Sequence, residues 1–112
     1  MRPQVHQTHI TIGSARREGR APSHDGEFIT LAWDDHGHWL IEDNAGVAAD
    51  SETGVSYLEG CGEEATAEDE QIQQEIDAYL ATCPPPPGGA TVALGNQAKG
   101  LARYWGWPIA EA

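Results

Sequence analysis

Glu27–Trp33 reads EFITLAW and His38–Asp43 reads HWLIED, with Asp34-Asp35-His36-Gly37 between them. Two apolar-rich runs joined by four turn-forming residues, the last a glycine, predict a β-hairpin. Side chains alternate across a strand, so Ile29, Leu31 and Trp33 share one face while Phe28 and Ala32 share the other. In the second run Trp39 and Ile41 oppose Leu40. Apolar residues on both faces make this hairpin central to a sheet and predict a helix over at least one side.

Working outward, Val5–Ile12 (VHQTHITI) reads as a first strand with Ile10 and Ile12 on one face. Residues 13–26 (GSARREGRAPSHDG) carry Gly, Ser, Pro and charge at loop density and predict an irregular connection. Asn44-Ala45-Gly46 turns the chain again. Gly54–Glu59 (GVSYLE) reads as a short further strand, and residues 60–65 as loop. Thr66 then caps a helix from about Ala67 to Thr82, with Glu68, Asp69 and Glu70 at the positive end of its dipole. Ile72, Ile76, Tyr79, Leu80 and Cys83 fall within an arc of about 100°, the width of a core-facing stripe. Glu70 and Asp77 face water.

Pro84–Pro87 end that helix and extend the chain before Gly88-Gly89. Ala90–Leu94 (ATVAL) predicts a short buried strand. Asn96 then caps a final helix carrying Ala98, Leu101, Ala102 and Trp105, although Gly100 keeps a strand over Leu101–Trp107 as an alternative. The class is α+β in a single domain of 112 residues: a small, mainly antiparallel sheet of about four to five strands packed on one or two helices.

Charge is the feature that bears on function. The protein has a formal charge of −12, and residues 21–98 hold 16 of its 18 acids and none of its six Lys and Arg. A folded surface of this kind repels itself, so the field is expected to meet a cationic surface elsewhere. Nucleic-acid-binding proteins line their grooves with Lys and Arg. Carboxylates at sufficient density, not neutralised from within, can occupy such a groove in place of phosphates. Asp34, Asp35, Glu63, Glu64, Glu68, Asp69 and Glu70 are the expected contacts, with Tyr104 or Trp107 as an apolar anchor. The basic cluster Arg16-Arg17-Glu18-Gly19-Arg20 is expected to pair with the chain's own acids.

In charge and size the chain resembles the small acidic inhibitors of phages and plasmids, a likeness of type carried by no alignable motif. Such a resemblance implies a non-enzymatic anti-CRISPR, anti-restriction or nuclease-immunity protein, without a cofactor, whose partner is a basic nuclease or CRISPR effector. Direct nucleic-acid binding is not expected.

Other chemistries leave weaker signatures. His36 and His38 with Asp34 and Asp35 contain metal-competent ligand types, but a turn rich in Asp, His and Gly is ordinary turn chemistry. His9-Ile10-Thr11-Ile12 is similar to one of the two strand motifs of two-histidine phosphoesterases. His24, His36 and His38 supply no second copy, so an acid–base pair lacks its partner. A small enzyme built on the histidines, and an adaptor or homodimeric subunit without activity, are the alternative classes. Cys61 and Cys83 form no Cys-x-x-Cys pair and are expected to be reduced thiols in a cytoplasmic protein, or a disulfide in an exported one. No run of about 18 apolar residues marks a membrane span.

Overall fold

A computed structural model describes residues 5–43, 46–81, 92–93, 96–106 and 109–110. Strands β1 (Val5–Thr11), β2 (Phe28–Asp34), β3 (Trp39–Asp43) and β4 (Gly46–Asp50) form one antiparallel sheet in that spatial order. The hairpin is central, as its two apolar faces require. Trp33 pairs with Trp39 and Leu31 with Ile41, while Ile10 of β1 pairs with Ile29. The turn closes through Asp34 N–H donating to the His38 carbonyl at 2.9 Å, and Gly37 supplies the positive φ of 87° that it needs.

One face of the sheet buries Ile10, Ile29, Leu31, Trp33, Ile41 and Ala49 against Ile72 and Ile76 of helix α3 (Ala67–Ala81). Tyr79 and Leu80 extend the helical stripe over the same core, and Glu70 and Asp77 face solvent. Cys83 and the four prolines lie outside the described residues. Val5, Ala32 and Leu40, on the other face, are also shielded from water. Helix α4 (Asn96–Trp105) packs on β4 and buries Ala102 completely. It runs through Gly100, so the strand alternative falls: packing against β4 outweighs the roughly 1 kcal/mol that an interior glycine costs.

Three expectations are corrected. Residues 13–26 are not simply irregular, because helix α1 (Gly13–Glu18) and a 3₁₀ turn (Asp25–Glu27) occupy part of them. Gly19, at φ 67°, closes α1 by donating its N–H to the carbonyls of Ala15 and Arg16, a glycine stop one residue beyond two arginines in the last turn. Gly54–Glu59 is not a strand. Ser56 Oγ accepts from the Glu59 N–H at 3.2 Å and starts helix α2 (Tyr57–Cys61) instead, with a 3₁₀ turn over Gly62–Glu64 after it. The fourth strand of the sheet is Gly46–Asp50, whose two alanines gave little β signal. Val92–Ala93 (β5) lies in the expected ATVAL run and pairs in parallel with Ile109–Ala110 (β6), a pairing that no local pattern announced.

The basic cluster turns inward. Glu27 is only 3% exposed, and Arg20 forks onto its carboxylate at 3.0 and 2.6 Å while Ser23 Oγ donates at 2.8 Å. The Arg20 guanidinium, followed by the Ser23 hydroxyl, holds the Glu27 carboxyl down at about 2. A carboxyl depressed in the folded state contributes stability above its unfolded value and loses it as pH falls towards the folded value. The stability difference between the wild type and Arg20→Gln is therefore expected to be full near neutral pH. It shrinks as pH falls from about 4.5 to about 2. Urea melts of both proteins across that range measure it; a difference independent of pH would contradict the pairing.

Candidate functional site: the acidic α2–α3 corner

The seven candidate acids are divided between the two ends of the sheet. Asp34 and Asp35 close the β2–β3 hairpin, whereas Glu63, Glu64, Glu68, Asp69 and Glu70 belong to the 3₁₀ turn and the first turn of α3. The direction of α3 sets them apart. Its C-terminal Tyr79 meets Trp33 near the hairpin turn, with ring centroids 6.1 Å apart. Its N-terminal Asp69 accepts a hydrogen bond from Tyr57 Oη of α2 at 3.3 Å. A 15-residue helix spans about 22 Å, so the two acidic groups lie at opposite ends of the molecule.

Within each group the roles differ. Asp34 is a buried structural carboxylate, not an exposed contact: Oδ1 accepts from the N–H groups of His36 and His38, each at 2.9 Å, and Oδ2 lies 3.0 Å from His38 Nδ1. Without it, backbone donors in the turn would be left unpaired at the edge of the core. Asp35 is exposed and lies 3.4 Å from Nε2 of the buried His6. Tyr104 is 77% exposed and lines a shallow hollow with Gly37, His38, Ser51 and Glu52, so it belongs to the hairpin end. Trp107 lies outside the described residues.

At the other end, Asp69 is engaged in the fold. Its Oδ2 accepts from Thr66 N–H at 2.9 Å and Thr66 Oγ1 at 3.2 Å, while Thr66 Oγ1 accepts from the Asp69 N–H at 3.3 Å. This is a capping box with Asp in the place usually held by Glu or Gln. Asp69→Ala is expected to lower the unfolding free energy by about 1 kcal/mol in a denaturant melt. A loss indistinguishable from that of an exposed-site alanine would count against the cap. Glu68 faces Arg17 across 3.7 Å, and Arg16 reaches Glu75 at 2.6 Å. All three arginines of the basic cluster thus meet carboxylates of this chain.

The densest run of exposed acids lies at the corner between α2 and α3. Glu59, Glu63, Glu64 and Glu70 are exposed within 12 residues of chain, and among the described residues none has an ion-pair partner. Glu59 was not among the sequence candidates. Its signal was the Ser56-x-x-Glu59 spacing, which marks a helix start and so places this glutamate beside the acids that follow.

Beside the corner, Ile12, Ile29, Tyr57 and Cys61 line a cleft of about 380 Å³, with Asp25 and Asp43 also in its wall. Cys61 is a free thiol; burial, then the Asp69 charge, push its titration upward and keep it protonated. Burial likewise raises the Tyr57 hydroxyl well above its ordinary value, so the cleft wall formed by these two side chains is uncharged.

The histidines serve the fold at several points. His6 is 4% exposed beside Trp33, and His9 Nδ1 lies 3.1 Å from Thr30 Oγ1 with its ring edge-on to Phe28. Among the described residues, no group of three or more His, Cys, Asp or Glu side chains is placed to hold a metal ion. No described helix is long and apolar enough to cross a membrane. No protein-family model matches the chain, and neither a curated protein nor a solved structure matches it.

Proposed function

We propose that this protein is a non-enzymatic binding protein that docks its α2–α3 corner onto a basic partner of the kind that handles nucleic acid. The observation that supports this reading is the set Glu59, Glu63, Glu64 and Glu70: four exposed carboxylates in 12 residues, beside a basic cluster already engaged with other acids. Charge at such a corner accelerates encounter with a cationic groove and disfavours nucleic acid itself. An anti-CRISPR, anti-restriction or nuclease-immunity role fits this chemistry, with cytoplasm as the compartment where such partners act.

The test is affinity capture from host lysate at low salt, followed by a salt gradient. The bait is the wild type or a variant carrying Glu59→Gln, Glu63→Gln, Glu64→Gln and Glu70→Gln. The wild type is expected to retain a basic nucleic-acid-binding protein that elutes with salt, and the variant to lose it. Identical capture by both baits, or a retained partner with no cationic surface, would overturn the proposal.

A further inference from the structure

The two edges of the sheet are not alike. β4 is shielded: helices α2 and α4 pack on it, the β3–β4 register breaks between Ile41 and Glu42, and Asp50 bridges to Val55. Irregularity and cover of this kind keep a sheet edge from pairing with another chain. β1 lacks such devices. Its register with β2 is unbroken over all seven residues, and it contains no proline and no Lys, Arg, Asp or Glu. Among the described residues no strand pairs with its outer side; β5 comes close to β1 but is paired with β6.

Which backbone groups face outward follows from the ladder. Ile12 donates its N–H to the Glu27 carbonyl at 2.8 Å, and Asp34, opposite Val5, sends its own N–H to His38. Hydrogen bonding alternates along an antiparallel pair, so the even-numbered residues of β1 bond to β2. Val5, Gln7, His9 and Thr11 turn their N–H and C=O groups the other way. Arg16 Nη1 takes the Thr11 carbonyl at 3.3 Å, and Gln7 and His9 keep both groups for another strand. Charge limits what that strand can belong to. The chain carries −12, so two copies repel wherever their carboxylates meet, and β1 is an element that brings none.

We infer that β1 pairs with β1 of a second copy of this chain, antiparallel about a two-fold axis, joining two four-stranded sheets into one. An axis through Thr8 brings all seven residues into register. Gln7 then exchanges both backbone hydrogen bonds with His9 of the second copy, and His9 with Gln7 of that copy. Thr8 meets Thr8, a favourable cross-strand pair. Odd positions face odd and even face even, so both faces of the sheet continue across the join. α2 packs on β4 at the opposite edge, so the pairing leaves it uncovered. The contact is one strand wide, which makes the dimer weak and concentration-dependent. This inference goes beyond the function proposed above and does not depend on it.

The test is sedimentation velocity on the full chain over a concentration series, at about 0.05 M and about 0.5 M salt, with amide hydrogen exchange followed by NMR. A monomer–dimer equilibrium is expected, tightened about tenfold by the added salt because screening relieves the repulsion between copies. Capture through the acidic corner has the opposite salt dependence, so the two claims fail separately. On dimerisation the amides of Gln7 and His9 should exchange more slowly, while those of Thr8 and Ile10, already bonded to β2, stay unchanged. His9→Pro removes one outward donor at an edge position that tolerates proline. It is expected to weaken the dimer about tenfold, one bond being lost from each copy, with β3 amides unmoved. If that variant fails to fold, the alternating exchange pattern of the wild type still decides. A monomer under every condition, a dimer that salt weakens, or one without protection at Gln7 and His9 would overturn the inference. So would a dimer that a folded His9→Pro leaves intact. Protection appearing only with a captured partner would assign the edge to that partner's strand and overturn it as well.

Discussion

Replacing Glu59, Glu63, Glu64 and Glu70 together by glutamine is expected to slow association with the captured partner by about 10- to 1,000-fold at low salt, the span that electrostatic steering covers. The four side chains are exposed, and none of their carboxylates caps a helix; at Glu59 it is the backbone N–H that Ser56 accepts. The variant therefore keeps its fold and loses only the field. Raising the salt should bring the two association rates together, because screening removes from the wild type what the substitutions remove from the variant. Dissociation should change far less, as release is governed by short-range packing. Stopped-flow mixing over a salt series reads both rates. Unequal rates at low salt that stay equally unequal at high salt would point to lost contact shape, not lost charge.

Ile76→Ala is expected to have the largest effect on stability, about 2–5 kcal/mol in a urea melt. Ile72 and Ile76 are the two fully buried residues of α3, and both sit on the sheet core formed by Ile29, Leu31 and Ile41. Much of the rest of the helix is Glu, Asp and Gln, so its attachment to the sheet depends on a narrow apolar stripe. Small domains have total stabilities of about 5–15 kcal/mol, and the substitution removes a large share of that. Asp77→Ala, one residue further on and exposed, should stay within about 0.5 kcal/mol of the wild type. Similar losses at the two positions would mean that α3 is not held by this stripe.

The same contrast explains which parts of the molecule could be read in advance. The hairpin and α3 carried repeated signals: alternation over EFITLAW and HWLIED, and a cap followed by an apolar stripe over residues 66–80. Periodicity fails for elements of five or six residues. Helices α1 and α2 are too short to show a stripe, and their only local marks, Gly19 and Ser56-x-x-Glu59, do not outweigh the loop-like and strand-like composition around them. The pairing of Val92–Ala93 with Ile109–Ala110 is parallel and distant in sequence, and depends on tertiary contacts that no local window contains.

The site shows a related limit. Composition revealed that the acids outnumber the bases, but not where each carboxylate points. Asp34 and Asp69 occupy positions where backbone N–H groups need an acceptor, one in a turn and one at a helix start. Neighbouring acids with no such donor nearby face water. Glu68 is drawn towards Arg17, a residue 51 positions earlier, by an ion pair of 3.7 Å that reaches from α3 to α1. Density of charge in a sequence therefore overstates the charge that a folded surface presents in one direction.

Carbodiimide cross-linking of the captured complex tests the central claim most directly, since this reagent joins a carboxylate to a lysine amine only where the two touch. The account predicts links to partner lysines from Glu59, Glu63, Glu64 or Glu70. Links found only from Asp35, Glu52 or Asp77 would place the partner elsewhere and contradict it.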